Sequence, residues 1–125
     1  MAKIPELVKC AWEKRTGFPV FATTDENSQA NAIYVGALNI FDDETIVIAN
    51  NYFNKTLANI KSGSKGALVF ITEDKKAYQI KGSIEYATSG PYFDFMNSIN
   101  PEGYPGLGAT VIRVETVYSG AEKLA

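Results

Sequence analysis

Residues 31–70 read NAIYVGALNIFDDETIVIANNYFNKTLANIKSGSKGALVF, and the fold turns on how this stretch is parsed. Val, Ile, Phe and Ala dominate three runs, which are separated by Asp42-Asp43-Glu44 and by a polar segment starting at Asn50. β-branched and aromatic runs bounded by turn residues predict antiparallel strands. The first, Gln29 to Phe41, reads as one long strand, Ile46 to Ala49 as a second and Gly66 to Thr72 as a third. Between the last two, Thr56 to Gly63 suits a helix of about two turns, with Leu57 and Ile60 inward and Gly63 as its stop.

The flanks extend the pattern. Ile4, Leu7, Val8, Ala11 and Trp12 recur at helical spacing, with Pro5 fit for a first helical position and Gly17 for a C-terminal stop. Phe18 to Thr24, Ala77 to Thr88 and Gly108 to Ser119 read as further strands, and Pro91 to Ser98 as a short helix. Closely spaced strands with only small helices predict a mainly β domain, a closed or nearly closed antiparallel barrel occupying residues 1–125.

Composition narrows the function. The chain has 125 residues, 46 % hydrophobic and 21 % charged, average for a globular domain with one core. The seven-residue apolar stretch Ala32 to Leu38 is too short to span a bilayer, so no membrane role is expected. An N-terminus without a signal-like apolar core, together with the single Cys10, predicts a cytoplasmic protein. There is no histidine, which removes Ser-His-Asp and Cys-His catalysis and His-ligated zinc. A net charge of −2 argues against nucleic-acid binding, but the charge is uneven. From Thr45 to Thr72 there is no acid while Lys55, Lys61 and Lys65 fall inside, so that window is +3 and the remainder −5. An anion would be favoured there.

Within the window, Asn54-Lys55-Thr56 follows a strand end and opens a helix. Two readings stand side by side: an ordinary helix start, or a phosphate cradle in which an ammonium and a hydroxyl flank unpaired N–H groups. Gly36, inside an apolar strand, either lets the barrel bend or admits a flat ligand against the backbone. The acids Asp42-Asp43-Glu44 and Glu73-Asp74 read as solvated turns rather than metal ligands. GYPGLG at 103–108 has the wrong glycine spacing for a dinucleotide fingerprint; it supplies turns, or an aromatic-bearing loop that covers a ligand.

The order of elements, the 31–70 stretch and the following YQIKGSIEYATSG resemble the pyridoxamine 5′-phosphate oxidase-like FMN-binding split barrels, above all the small FMN-binding proteins. The resemblance implies a six-stranded antiparallel split β-barrel with short flanking helices. It also implies a homodimer holding FMN at its interface, and electron transfer or a small oxidoreductase activity, with a redox partner protein. On this resemblance Lys55 and Thr56, beside Asn54, hold the FMN phosphate. Ile33, Tyr34, Val35 and Gly36 line the ring system and ribityl chain, and Ala49, Asn50 and Asn51 meet the flavin's polar edge. Gln79 and Lys81 are further candidate contacts, while Tyr52 and Phe53 stand between flavin cover and packing. With no histidine and only Arg15 and Arg113, the chain departs from the full-length vitamin B6 oxidases, so pyridoxamine phosphate oxidation is not expected. The competing expectation is a non-catalytic barrel that binds haem, F420 or no ligand.

Overall fold

The structure is a computed structural model and describes residues 2–125. Helix α1 (Glu6–Glu13) follows Pro5 and lays Val8, Ala11 and Trp12 into the core. Trp12 is fixed at both ends of its ring system: Nε1 donates to Asn39 Oδ1 at 3.0 Å, and the Phe70 ring meets it edge-on at 5.0 Å. The helix stops at Glu13, short of Gly17, because the chain is already extended from Arg15. Gly17 lies instead within strand β1 (Arg15–Thr24) at φ +70°, where the register against β5 shifts between Thr16 and Val20. The glycine makes a bulge rather than a helix end.

The expected Gln29 to Phe41 strand is two strands, β2 (Ala30–Tyr34) and β3 (Leu38–Asp42). They belong to different ladders. β2 pairs with β1, whereas β3 pairs with β4 (Thr45–Asn50). The connecting residues bridge both sides: Val35 N–H donates to Pro19 O at 2.9 Å, and Ala37 O accepts from Ala49 N–H at 2.8 Å. The break thus follows from a change of partner.

Helix α2 (Lys55–Lys61) precedes strands β5 (Gly66–Thr72) and β6 (Ala77–Ala87), and α3 (Pro91–Ile99) precedes β7 (Gly108–Ser119). A two-residue β8 (Glu122–Lys123) lies on β7. Around the sheet the order is β2-β1-β5-β6-β7-β4-β3, every pair antiparallel. Among the described residues eight strands therefore stand where six were expected, through the break at residues 35–37 and the addition of β8. The architecture is a split antiparallel barrel whose two end strands are consecutive in the chain.

Inward side chains of all the long strands form the main core, including Phe21, Ile46, Leu68, Ile80 and Ile112. A second cluster lies outside the sheet, where Met96 of α3 covers Val47, Ala49, Ala109 and Val111. β4 is therefore buried on both faces, which explains why Ile46 to Ala49 is uninterruptedly apolar. Two glycines are required by close approach. A Cβ at Gly82 would lie 1.9 Å from the Arg113 carbonyl oxygen, beside the irregular register at Lys81/Gly82, and a Cβ at Gly108 would lie 2.2 Å from Tyr86 Oη.

Candidate functional site

The seam between β2 and β3 opens onto a groove of about 550 Å³, within the size range of small-molecule sites. One wall is the partner-switching segment Ile33 to Ala37, with Phe18 of β1 against it. The floor is Ala49, at the end of β4. The other wall is the turn Asn51 to Phe53 together with Pro101 and Tyr104 of the loop after α3. Gly36 matters locally: a Cβ there would press within 3.2 Å of the Phe18 ring, so the missing side chain lets the ring lie against the backbone. Phe18, Tyr34 and Tyr52 are 69 %, 76 % and 74 % exposed, and Tyr52 meets Tyr104 edge-on at 6.1 Å. The lining carries no charged side chain. Flat aromatic rings, short backbone segments and neutrality suit a planar, largely apolar ligand.

Six sequence-singled residues line the groove: Ile33, Tyr34, Val35, Gly36, Ala49 and Asn51. The other four do not. Asn50 is completely buried, and its amide is consumed internally. Its Nδ2 donates to Tyr86 Oη at 2.8 Å, and its Oδ1 accepts from the Phe53 N–H at 2.9 Å. Asn54 and Lys55 are exposed, next in chain to the Asn51–Phe53 wall. Thr56 is buried, and its Oγ1 accepts from Asn31 Nδ2 at 3.0 Å. One turn further, Asn59 Nδ2 donates to Thr23 Oγ1 at 2.9 Å, so two Asn–Thr pairs stitch α2 onto β1 and β2. Tyr52 and Phe53 both line the groove, and Phe53 also packs on the main core near Phe21. Gln79 and Lys81 are absent from its lining; the Lys81 ammonium lies 5.1 Å from the Tyr118 ring centre.

The sequence reading missed Phe18, Ala37 and Pro101 as wall residues. Phe18 carried a signal, a large apolar residue beside Pro19 at a strand start. Its approach to Gly36 depends on the β1–β2 register, which local patterning does not specify.

Asn54 makes no side-chain capping bond, so the first N–H groups of α2 lack the usual Asx partner. Of the three window lysines, Lys65 is neutralised by Glu115 at 2.9 Å, while Lys55 and Lys61 have no acidic partner among the described residues. The free positive charge nearest in sequence to the groove wall is Lys55. The groups with shifted pKa values sit elsewhere. The hydrogen bond from Lys9 depresses the Asp43 carboxyl below its ordinary range and raises Lys9, and burial lowers Arg15, whose guanidinium stacks 4.1 Å over Trp12. Among the described residues no group of three His, Cys, Asp or Glu side chains is arranged to hold a metal. No helix among them is long and apolar enough to cross a membrane.

This combination, a split antiparallel barrel with a neutral aromatic groove at its seam, defines the class. A family model described as pyridoxamine 5′-phosphate oxidase matches residues 6–119, and the chain belongs to that family. It is 32 % identical over 103 residues to an uncharacterised protein of Methanocaldococcus jannaschii, covering 78 % of this chain and 69 % of that one. In fold it is similar to HupZ of Group A Streptococcus, with a TM-score of 0.83, 21 % identity and 98 % of both chains covered. It is also similar to an FMN-binding protein from Syntrophomonas wolfei, with a TM-score of 0.77, 21 % identity, and 89 % of this chain and 82 % of that one covered. At this identity the two structures establish the fold.

Proposed function

We propose that the groove binds FMN and that the protein serves in electron transfer or as a small oxidoreductase. The groove is the observation that carries this reading. Its aromatic walls and uncharged lining fit a flavin ring system, and the cation next to one wall fits a phosphate. Bound FMN would supply one- or two-electron redox chemistry. The chain's own contribution is to hold and shield it. The backbone of Ile33 to Gly36, short of side-chain bulk at Gly36, offers N–H and C=O groups to the ring edge. Ala49 would allow close approach at the floor, and the exposed Lys55, next in chain to the Asn51–Phe53 wall, would offer an ammonium to the phosphate. Thr56, with its hydroxyl oxygen engaged by Asn31, secures the turn that carries Lys55.

Phe18, Tyr34 and Tyr52 leave the groove mouth as an exposed apolar patch, a feature typical of surfaces that are covered in the functional assembly. A second copy of this chain is the proposed cover, with a cytoplasmic redox partner meeting the dimer.

The test is the visible spectrum of purified protein, followed by titration of the apo form with FMN, F420 and haem, each identified by its own absorption. Yellow protein or micromolar FMN affinity is expected, and sedimentation should report a dimer. Lys55→Ala should weaken FMN binding roughly fivefold, since an exposed ammonium contributes up to about 1 kcal/mol. Apo protein that ignores FMN at micromolar concentration overturns the reading; tighter binding of haem or F420 would reassign the groove to that ligand.

A further inference from the structure

The loop between α3 and β7, residues 100–107, forms one groove wall together with the turn Asn51 to Phe53, and its tie to that turn runs mainly through a single side chain. Asn51 Nδ2 donates to Asn100 Oδ1 at 2.9 Å, and Asn100 Nδ2 returns a bond to Asn51 Oδ1 at 2.9 Å. The same Oδ1 accepts from the Gly106 N–H at 3.0 Å. The remaining bond, from Leu107 N–H to Asn50 O at 2.9 Å, anchors only the loop's end. Glycine is needed where the amide pair meets the loop. Gly106 sits at φ +56°, and a Cβ there would come within 3.2 Å of Asn100 Nδ2.

We propose that Asn51 is a positioning residue whose amide pair with Asn100 latches the 100–107 loop and thereby sets the groove's width and the rate at which its ligand leaves. The latch closes on Asn100 and Gly106, the two residues that bracket the span with Pro101 and Tyr104, and adds to the backbone bonds of Asn100 N–H to Met96 O and Leu107 N–H to Asn50 O in fixing where that span leaves and rejoins the wall. Tyr52 and Tyr104 come together across this junction, so a loosened loop separates the two rings that form the wall. Asn51 has both ends of its amide engaged on the loop, which makes its effect on a ligand largely indirect. This inference rests on the proposed ligand groove, and its test is separable from it.

Four variants decide it: Asn51→Leu, which removes all three bonds; Asn100→Leu, which breaks the reciprocal pair at a residue outside the lining; the double variant; and Asn51→Asp, which keeps an acceptor for Asn100 Nδ2 and Gly106 N–H. Hydrogen exchange of the apo proteins is the first readout. Exchange at the Gly106 amide should rise about tenfold or more in Asn51→Leu, which removes its acceptor, rise in Asn100→Leu, which frees the Asn51 amide, and change far less in Asn51→Asp, with the Ile80 amide as an unchanged internal reference. FMN dissociation is the second. It should speed up about tenfold in each leucine variant and no further in the double, as expected of residues acting as one unit. Unchanged Gly106 exchange in Asn51→Leu overturns the latch. Wild-type FMN release in Asn100→Leu beside fast release in Asn51→Leu also overturns it, because Asn51 would then act by direct contact. If the wild type takes up no FMN, the flavin reading fails while the exchange measurements still decide the latch.

Discussion

Replacing Asn50 by Leu separates a structural role from a ligand-binding one. The side chain is wholly buried and holds two elements together, bonding Tyr86 Oη at 2.8 Å and the Phe53 N–H at 2.9 Å. Leucine fills a similar volume but leaves the tyrosine hydroxyl and the amide without their partners. An unsatisfied buried polar group costs about 1–3 kcal/mol. Tyr86 and Phe53 are only half-buried, so water can partly compensate, and a total of about 2–3 kcal/mol is expected. With a urea slope of about 1–3 kcal/mol/M, the midpoint should fall by roughly 0.7–3 M. Urea denaturation of the apo protein, followed by tryptophan fluorescence from the buried Trp12, measures it. Tyr86→Phe should cost less alone and almost nothing in the Asn50→Leu background, because the hydroxyl has already lost its partner. An apo midpoint within about 0.3 M of wild type, combined with weaker FMN binding, would refute this account and return Asn50 to the flavin edge.

Two further outcomes test other parts of the fold. Gly82→Ala should cost about 3 kcal/mol or more in the urea midpoint, or prevent soluble expression, since its Cβ would lie 1.9 Å from a backbone oxygen. Gly63→Ala, at φ +93° in open space, should cost only about 1–2 kcal/mol; similar losses at both positions would discredit the close-approach argument. For Asp43, the depressed carboxyl pKa means that its stabilisation is present above the unfolded value and lost as pH falls through the folded one. Lys9, whose pKa is raised, contributes below its unfolded value and loses that contribution as pH rises through the folded one. The difference in urea midpoint between wild type and Asp43→Asn should therefore be widest between about pH 5 and pH 9 and shrink on acidification. It should also shrink in high salt, as both side chains are solvent-accessible. A gap unchanged at about pH 2.5 would contradict the pairing.

The sequence is legible where structure is local. Pro91 opens α3, β7 covers the anticipated Gly108 to Ser119, and Gly63 at φ +93° follows the end of α2. It is opaque where distant partners decide. Gly36 hints at a bend within Ile33 to Leu38, but nothing there says that the chain leaves β1 for β4, because the flanking residues are equally apolar and the choice belongs to the ladders. Asn50 and Asn51 are chemically identical neighbours, but Asn50 ends β4 with its side chain bonded to Tyr86, while Asn51 lies in the turn after the strand, beside the loop. The apolar half of the groove was readable from the strand. Phe18 and Pro101 come from elements that only the tertiary fold brings there.

The strand order also governs when a binding site can exist during synthesis. β7 lies between β6 and β4, so among the described residues it is the only strand that joins the β3–β4 hairpin to the rest of the sheet. Until Gly108 to Ser119 has left the ribosome, β4 has no second partner and Ala49 is a floor without a frame. An emerging chain with β1, β5 and β6 already paired would still present β4 with one unpaired edge, the state in which short apolar strands aggregate. A ligand of the proposed groove would therefore be captured only once β7 has paired with β4, and its presence at that moment would favour closure of the seam over association of its open edges.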